Sequence, residues 1–293
     1  MAPEVQGQVY KRELMRGTLY IVSTPIGNLE DITLRAIRVL KEVDFIAAED
    51  TRHTRKLLSH LGIRKRLVSY WGAKEKVKAE EVMSLLEGGR DVALVTDAGT
   101  PGVSDPGTVV IKKAIDEGFD VIPVPGPTAL IAALTVSGLQ EKGFLFIGFL
   151  SAKRNERQKR LKELSGEKWT MIFYESPHRL LDTLDDMLDI FGDRYVSVAH
   201  ELTKFNESVH RGRLSEVISE LEDAVIAGEY VIVVEGSRGE EPDIEAALLK
   251  VQKLVDKGIK RKEAVHRVAE EYGIRKKELY DLSIGKKEVE HET

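Results

Sequence analysis

The chain has 293 residues, of which 42% are hydrophobic and 32% charged, with a formal net charge of −5 and no cysteine. At roughly 150 residues per domain, this length points to two domains and a small extra piece, and the composition excludes a disordered chain. The missing cysteines exclude disulfides, thiolate catalysis and cysteine-ligated metals, and the acidic balance excludes a globally basic nucleic-acid binder.

No apolar run approaches the roughly 20 residues that a membrane-spanning helix needs. Residues 1–17 are polar and charged where an apolar leader would sit, so they read as a tail on a soluble, cytoplasmic protein with no membrane partner. From residue 18 onward a strand, loop and helix pattern repeats. Residues 18–23 (TLYIVS) read as a buried strand. The helix that follows carries Leu34, Ile37 and Leu40 on one face, with Asp31 placed to cap it. A strand at 45–48, a helix at 51–61 stopped by Gly62, a strand at 67–71, a helix at 76–87 and a strand at 91–95 come next. A Gly/Pro-rich loop over 97–107 leads into a helix to Glu117, a strand at 119–124, and a helix from 126–128 to near Gly138. Such alternation predicts a mostly parallel sheet covered on both faces, in a first α/β domain over 18–138.

A second α/β domain over 143–236 is expected from the strands at 144–149, 169–174, 195–201 and 230–234, with 207–214 pairing beside them. Its helices fall at 155–164, 177–188 and 215–227. The segment GSRGEEP (236–242) reads as a linker to three short helices at 243–256, 261–272 and 276–282, a small C-terminal helical domain over 243–285. Charge is concentrated there. From Lys250 to Lys287 twelve basic residues face six acidic ones, so a polyanion would meet this end first.

Open α/β sheets bind ligands at the loops following the C-terminal ends of their strands. The strongest candidate is TDAGTPGVSDPG (96–107), where glycines permit close backbone approach and prolines stiffen the loop, an arrangement suited to a nucleoside-type ligand. Neither G-x-G-x-x-G nor G-x-x-x-x-G-K-[ST] occurs, so a Rossmann dinucleotide site and a P-loop are both unsupported. Glu49, Asp50 and Asp97 have the chemistry of Mg²⁺ ligands, but carboxylates at strand ends also cap helices, and no metal is expected.

Six segments then point to a family. TLYIVSTPIGNLED (18–31), AEDTRHTRKLL (48–58), VTDAGTPGVSDPG (95–107), PVPGPTA (123–129), FYESPHRLL (173–181) and ELTK (201–204) follow one another at characteristic spacing. Together they resemble the bacterial 16S ribosomal RNA cytidine-2′-O-methyltransferases, within the tetrapyrrole-methylase-like, class III group of S-adenosylmethionine-dependent enzymes. The resemblance spans about residues 17–282. It implies two mixed-sheet αβα domains with the donor cleft between them, a homodimer, and S-adenosylmethionine as cofactor. Carried over by position, Pro25 and Ile26 would meet the donor from the first strand's end. Ala98, Gly99, Thr100, Val103 and Ser104 would meet it from the Gly/Pro loop, Thr128 and Ala129 from a helix start, and Tyr174 and Leu202 from the second domain.

Methyl transfer to a ribose hydroxyl is an in-line displacement at a sulfonium carbon, in which the protein aligns the nucleophile and takes its proton. Lys204 is the first choice of base, if surrounding positive charge disfavours its ammonium; Glu175 and Glu201 are second choices, and either could pair with a cation instead. Arg52, His53 and Arg55 open a helix at one rim and suit phosphate contacts, as does His178 at a later helix start. Tyr70 and Trp71 would stack on an unpaired base or serve as core aromatics. Residues 261–282 are similar to a helix-turn-helix, with Ala269, Gly273, Ile274 and Leu279 at its packing positions and Arg275, Lys276 and Lys277 opening the second helix toward RNA. The reading is methylation of a cytidine ribose in the small ribosomal subunit's 16S RNA. Two alternatives stand beside it: a tetrapyrrole-type small-molecule methylase, and a non-catalytic RNA-binding assembly factor.

Overall fold

The computed structural model describes residues 16–70, 75–139, 143–222, 224–238, 244–272 and 274–285. Residues up to Gly236 form one compact unit and those from Ser237 a second.

The first unit contains two five-stranded sheets. The first sheet uses β1 (Leu19–Val22), β2 (Phe45–Ala48), β3 (Arg66–Ser69), β4 (Val92–Val95) and β5 (Val121–Val124) in the order β3-β2-β4-β1-β5. All its pairings are parallel. Short runs such as Val92–Val95, buried at every position, are what a sheet covered on both faces requires. One face packs on α1 (Leu34–Glu42) and α2 (Thr51–His60), through Val39, Leu40 and Leu58 against Ile46 and Val95. The other packs on α3 (Glu75–Glu87) and α4 (Thr108–Asp116), through Val82, Leu86 and Val110 against Leu19 and Leu94.

The second sheet is the mixed one. Its strands β6 (Phe144–Phe149), β7 (Thr170–Glu175), β8 (Tyr195–His200), β9 (Ser208–Arg213) and β10 (Tyr230–Val234) lie in the order β6-β7-β10-β8-β9, with only β6 and β7 parallel. Helices α6 (Arg154–Leu164), α7 (Leu180–Phe191) and α8 (Leu214–Glu222) cover one face, packing Leu161, Leu184 and Val217 around Phe173 and Ile232. The other face receives α5 (Ala129–Ser137), which follows β5 in the chain. Leu130, Ala133 and Leu134 of α5 lie in one cluster with Ile172, Ala199 and Val233. A helix that leaves the first sheet therefore forms part of the second sheet's core, which explains why its sequence, ALIAALTVS, is almost entirely apolar.

Three expectations need correction. Leu34 is exposed rather than on the inner face of α1, which buries Ala36, Val39 and Leu40. The cap is Thr33, whose side chain accepts from Ala36 N–H, while Asp31 ends a preceding 3-10 turn (Leu29–Asp31). The helix expected over 215–227 ends at Glu222. Gly228 and the residues before it instead form the approach to β10.

The second unit consists of α9 (Ile244–Asp256), α10 (Arg261–Tyr272) and α11 (Lys276–Ser283) around a small core that includes Val251, Val265, Val268, Ala269, Ile274 and Leu279. Gly273 lies outside the described residues. Arg275 is the N-cap residue of α11, and Arg275, Lys276 and Lys277 are all exposed. Lys276 donates to Glu270 and lies 2.9 Å from His266 Nε2.

A cleft between the two sheets

The loop after β1 and the loop after β4 are tied together by backbone. Thr24 N–H donates to Gly99 O at 2.9 Å, and Gly99 N–H returns the bond to Thr24 O at 3.1 Å. Thr24 Oγ1 donates to Thr96 O, and Ser23 Oγ lies 2.8 Å from Thr100 Oγ1. Gly99 has φ +79°, a value that strains any residue with a Cβ, and this bend brings the loop backbone beside Ile26. The stiffness expected of the Gly/Pro loop thus comes from hydrogen bonds as well as from its prolines.

Beneath this loop a cavity of about 310 Å³ opens between the two sheets, near the lower end of the range seen for ligand clefts. Ile26, Ala98, Gly99, Thr100, Val103 and Ser104 line it from the first sheet, and Thr128 and Ala129 from the start of α5. Tyr174 and Leu202 line it from the second sheet. Ten of the eleven positions carried over for the donor are therefore brought together. Pro25 is the exception: it is buried but does not line the cavity, because Thr24 and Ile26 on either side are held to the Gly/Pro loop and the cleft. At the start of α5 the Leu130 N–H donates to Tyr174 Oη at 3.1 Å.

The sequence reading missed part of the wall. Asp105 and Phe149 lie on it, as do Gly228, Glu229, Tyr230 and Val231 at the approach to β10. Asp105 belongs to the very loop singled out; Phe149 ends β6, a strand end and therefore a legible location. Phe149 is half exposed and packs edge-on against Tyr174 at 5.6 Å. Nothing near 228–231 in the sequence marks it, because it reaches the cleft only through antiparallel pairing of β10 with β7 and β8.

The expected bases have specific partners. Glu175 is buried; its carboxylate accepts from Ser176 N–H at 2.7 Å and Thr183 Oγ1 at 2.8 Å, and pairs with Arg179 at 2.6 Å. It anchors the start of α7. Lys204 Nζ lies 2.7 Å from Glu201 Oε1 and 3.1 Å from Glu229 Oε2. Partial burial works against its charge, yet the two carboxylates outweigh that and hold the ammonium above the ordinary lysine range. The depression needed for a lysine base is thus reversed in this structure. The same bond to Lys204 holds the Glu201 carboxyl below its usual value.

Glu201 and Thr203 both adopt positive φ, +48° and +67°, without being glycine. Leu202 between them faces the cleft, and Thr203 Oγ1 accepts from Asn28 N–H at 3.0 Å, joining this loop to the loop after β1. Gly27 sits at the same junction, where a Cβ would overlap the Lys204 side chain and Thr203 Oγ1.

Arg52, His53 and Arg55 are exposed on the first turns of α2, and His178 is exposed in the 3-10 turn Pro177–Arg179. Arg52 pairs with Asp50 at 2.7 Å, which with the Arg52 N–H holds the Asp50 carboxyl down at about 2. Glu49 and Asp97 link the loops after β2 and β4, each accepting from the other loop's backbone: Asp97 N–H donates to Glu49 and Asp50 N–H to Asp97. Among the described residues no three His, Cys, Asp or Glu side chains are grouped to hold a metal ion. Tyr70 is buried against the first sheet, its hydroxyl accepting from Val110 N–H, so it is core rather than a stacking surface. Trp71 lies outside the described residues.

Residues 18–218 match the family model for tetrapyrrole (corrin/porphyrin) methylases, more than two thirds of the chain. The chain belongs to the tetrapyrrole methylase family. Within that family its similar relatives include proteins named ribosomal RNA small subunit methyltransferase I. The one from Halalkalibacterium halodurans is 46% identical over 282 residues, 94% of this chain and 97% of the relative. Those from Bacillus subtilis and Escherichia coli O157:H7 are each 44% identical over 272 residues, covering 90% and 92% of this chain and 93% and 95% of the relatives. Solved tetrapyrrole methylase folds are similar as well. The methyltransferase CobJ aligns with a TM-score of 0.57 at 19% identity, over 75% of this chain and 95% of that one. Uroporphyrin-III C-methyltransferase from Thermus thermophilus, complexed with S-adenyl homocysteine, aligns at 0.54 and 23%, over 74% and 97%.

No described helix is long and apolar enough to cross a membrane.

Proposed function

We propose that this protein methylates the ribose 2′-hydroxyl of a cytidine in 16S ribosomal RNA, using S-adenosylmethionine. The observation that carries the reading is the cleft. Ten residues named from sequence as donor contacts converge on one cavity of about 310 Å³, in a chain 41–46% identical to several proteins named ribosomal RNA small subunit methyltransferase I. Its walls suit the donor. The Gly99 bend and the start of α5 offer backbone groups, while Ile26, Leu202 and Tyr174 give apolar surface for an adenosine.

When bound, S-adenosylmethionine supplies an activated methyl group. The chain's own residues then position and exclude. Tyr174, fixed by the Leu130 N–H, holds the cleft's inner wall; the loop 201–207, fixed by Asn28 and Glu229, closes one side. Lys204, bonded to Glu201 and Glu229, serves as a fixed positive charge and Glu175 as an anchor for α7. Arg52, His53, Arg55 and His178 are exposed and suited to RNA phosphates, and Arg275, Lys276 and Lys277 of the second unit likewise. Phe149, half exposed on the wall, suits stacking on a base turned out of its helix. The setting is the cytoplasm, the substrate the small ribosomal subunit, and the enzyme a homodimer.

The test is direct. Methyl-labelled S-adenosylmethionine is incubated with the protein and small subunits lacking the modification, and the label is mapped. Label on a cytidine ribose is the expected result. Donor binding without label on subunits or naked RNA would overturn the substrate, and no donor binding would overturn the chemistry.

A further inference from the structure

A base for hydroxyl methylation must reach the cleft, be free to accept a proton, and have a basicity matched to the working pH. No lysine, arginine or histidine lines the cleft among the described residues, which leaves Asp105, Glu175, Glu229, Tyr174 and Tyr230. Glu175 is tied to Arg179, Thr183 and Ser176. Glu229 is bound to Lys204 and its side chain is 76% exposed. Burial pushes both tyrosine hydroxyls above their usual range, where they stay protonated. Asp105 differs from all of these. It lies on the wall, partly buried, and makes no hydrogen bond or ion pair among the described residues.

We infer that Asp105 is the catalytic residue that accepts the proton of the attacking hydroxyl, a role that rests on the ribose-methylation reading above. The balance is simple. The hydroxyl oxygen forms the new C–O bond, and the C–S bond breaks with its electron pair left on sulfur. The hydroxyl proton passes to the Asp105 carboxylate and then to water. As the C–O bond forms, the oxygen gains positive character and its proton becomes acidic, so a carboxylate is base enough. Asp105's surroundings add to that basicity. Burial, then Asp97 from its own loop and Glu229 from the approach to β10, raise its carboxyl above the usual range. Glu49 at the end of β2 and Tyr174 on β7 face the same charge, and Lys204, beside this wall's Glu229, is bonded to Glu201 and Glu229.

An unpaired carboxylate is also a stability liability, and this separates a catalytic role from a structural one. Its raised folded-state pKa means that the fold prefers the neutral form. Asp105→Asn should therefore raise the thermal midpoint at neutral pH, with the gain shrinking as pH falls through the raised folded value and gone below the ordinary aspartate range. The same variant should lose roughly 10²–10⁴-fold in kcat/KM for methyl transfer to RNA while keeping its affinity for S-adenosylhomocysteine. The acid limb of the wild-type kcat/KM profile should be missing from its residual activity, and Asp105→Glu should recover part of the rate. Wild-type kcat/KM, or an acid limb that persists in Asp105→Asn, overturns the proposal. Lost affinity for S-adenosylmethionine alone would instead mean that Asp105 pairs with the donor's positive sulfur, and lost affinity for both ligands with a lowered midpoint would make it structural. Failure of the wild-type protein to methylate RNA would overturn the underlying reading, a result distinguishable from failure of the variant alone.

Discussion

Glu201→Gln tests whether the strained loop at the cleft is held shut by one carboxylate oxygen. Glu201 Oε1 accepts both the Lys204 ammonium, at 2.7 Å, and Glu229 N–H, at 3.1 Å. The side chains of Glu201 and Lys204 are 19% and 29% exposed, so solvent screens them only in part. Hydrogen bonds to charged groups contribute about 1.5–3 kcal/mol net and neutral ones about 0.5–1.5. Neutralising this acceptor therefore removes about 1–2 kcal/mol after screening. Against it stands the backbone at Glu201 and Thr203, where positive φ costs about 1 kcal/mol or more per residue. With the balance so close, the variant loop opens and takes Leu202 off the cleft wall.

The expected readout is a roughly 5–30-fold weaker affinity for S-adenosylhomocysteine by calorimetric titration, with faster amide exchange over 201–207. The pH dependence has two limbs. The Glu201 carboxyl is lowered in the fold, so its contribution is present above the unfolded value of 4.5 and lost as pH falls through the folded one. The Lys204 ammonium is raised, so its contribution is complete below 10.5 and lost as pH climbs through the folded value. Wild-type affinity and exchange in Glu201→Gln would refute this account of the loop.

Three further outcomes follow from other parts of the molecule. Thr100→Arg should fill the cavity and abolish donor binding with little change in thermal midpoint; unchanged affinity in a titration would remove the Gly/Pro loop from the site. Asp186→Ala should cost about 3–5 kcal/mol in chemical denaturation, because it strands the buried Arg157, now 2.7 Å from Asp186, without a counter-charge; a loss under about 1 kcal/mol would show that the pair is dispensable. Ending the chain after Arg238 should spare donor affinity while weakening RNA binding and flattening its salt dependence, read by titration at several salt concentrations; intact RNA affinity would remove α9–α11 from the interface.

Legibility from sequence followed the range of the interactions involved. The strands and helices of the first sheet fall where hydrophobic period and glycine punctuation place them, since both are local signals. Ten of the positions that the resemblance implies for the donor line one cavity, and loops after parallel strands gather at one sheet edge, where several of the six segments fall. The wall contributed by Gly228–Val231 was not legible, because antiparallel pairing sets its position and no short-range signal encodes that. Thr33, rather than Asp31, caps α1 for a similar reason: both are cap-forming residues two positions apart, and the 3-10 turn at 29–31 decides between them.

The base was the hardest residue to read, and the reason is physical. A lysine in a methyltransferase motif has no pKa of its own until its neighbours are known, and here Glu229, 25 residues further on, helps to set it. Glu201 and then the acid at β10's approach hold the Lys204 ammonium above its ordinary range, and the same acid, facing Asp105 without bonding it, adds to burial and Asp97 in raising that carboxyl. One residue outside every motif thus helps to raise both groups, with opposite consequences: the lysine keeps its proton and the aspartate gains basicity. Sequence supplies the list of ionisable groups near a strand end; which of them can take a proton is decided by the partners that tertiary structure gives or withholds.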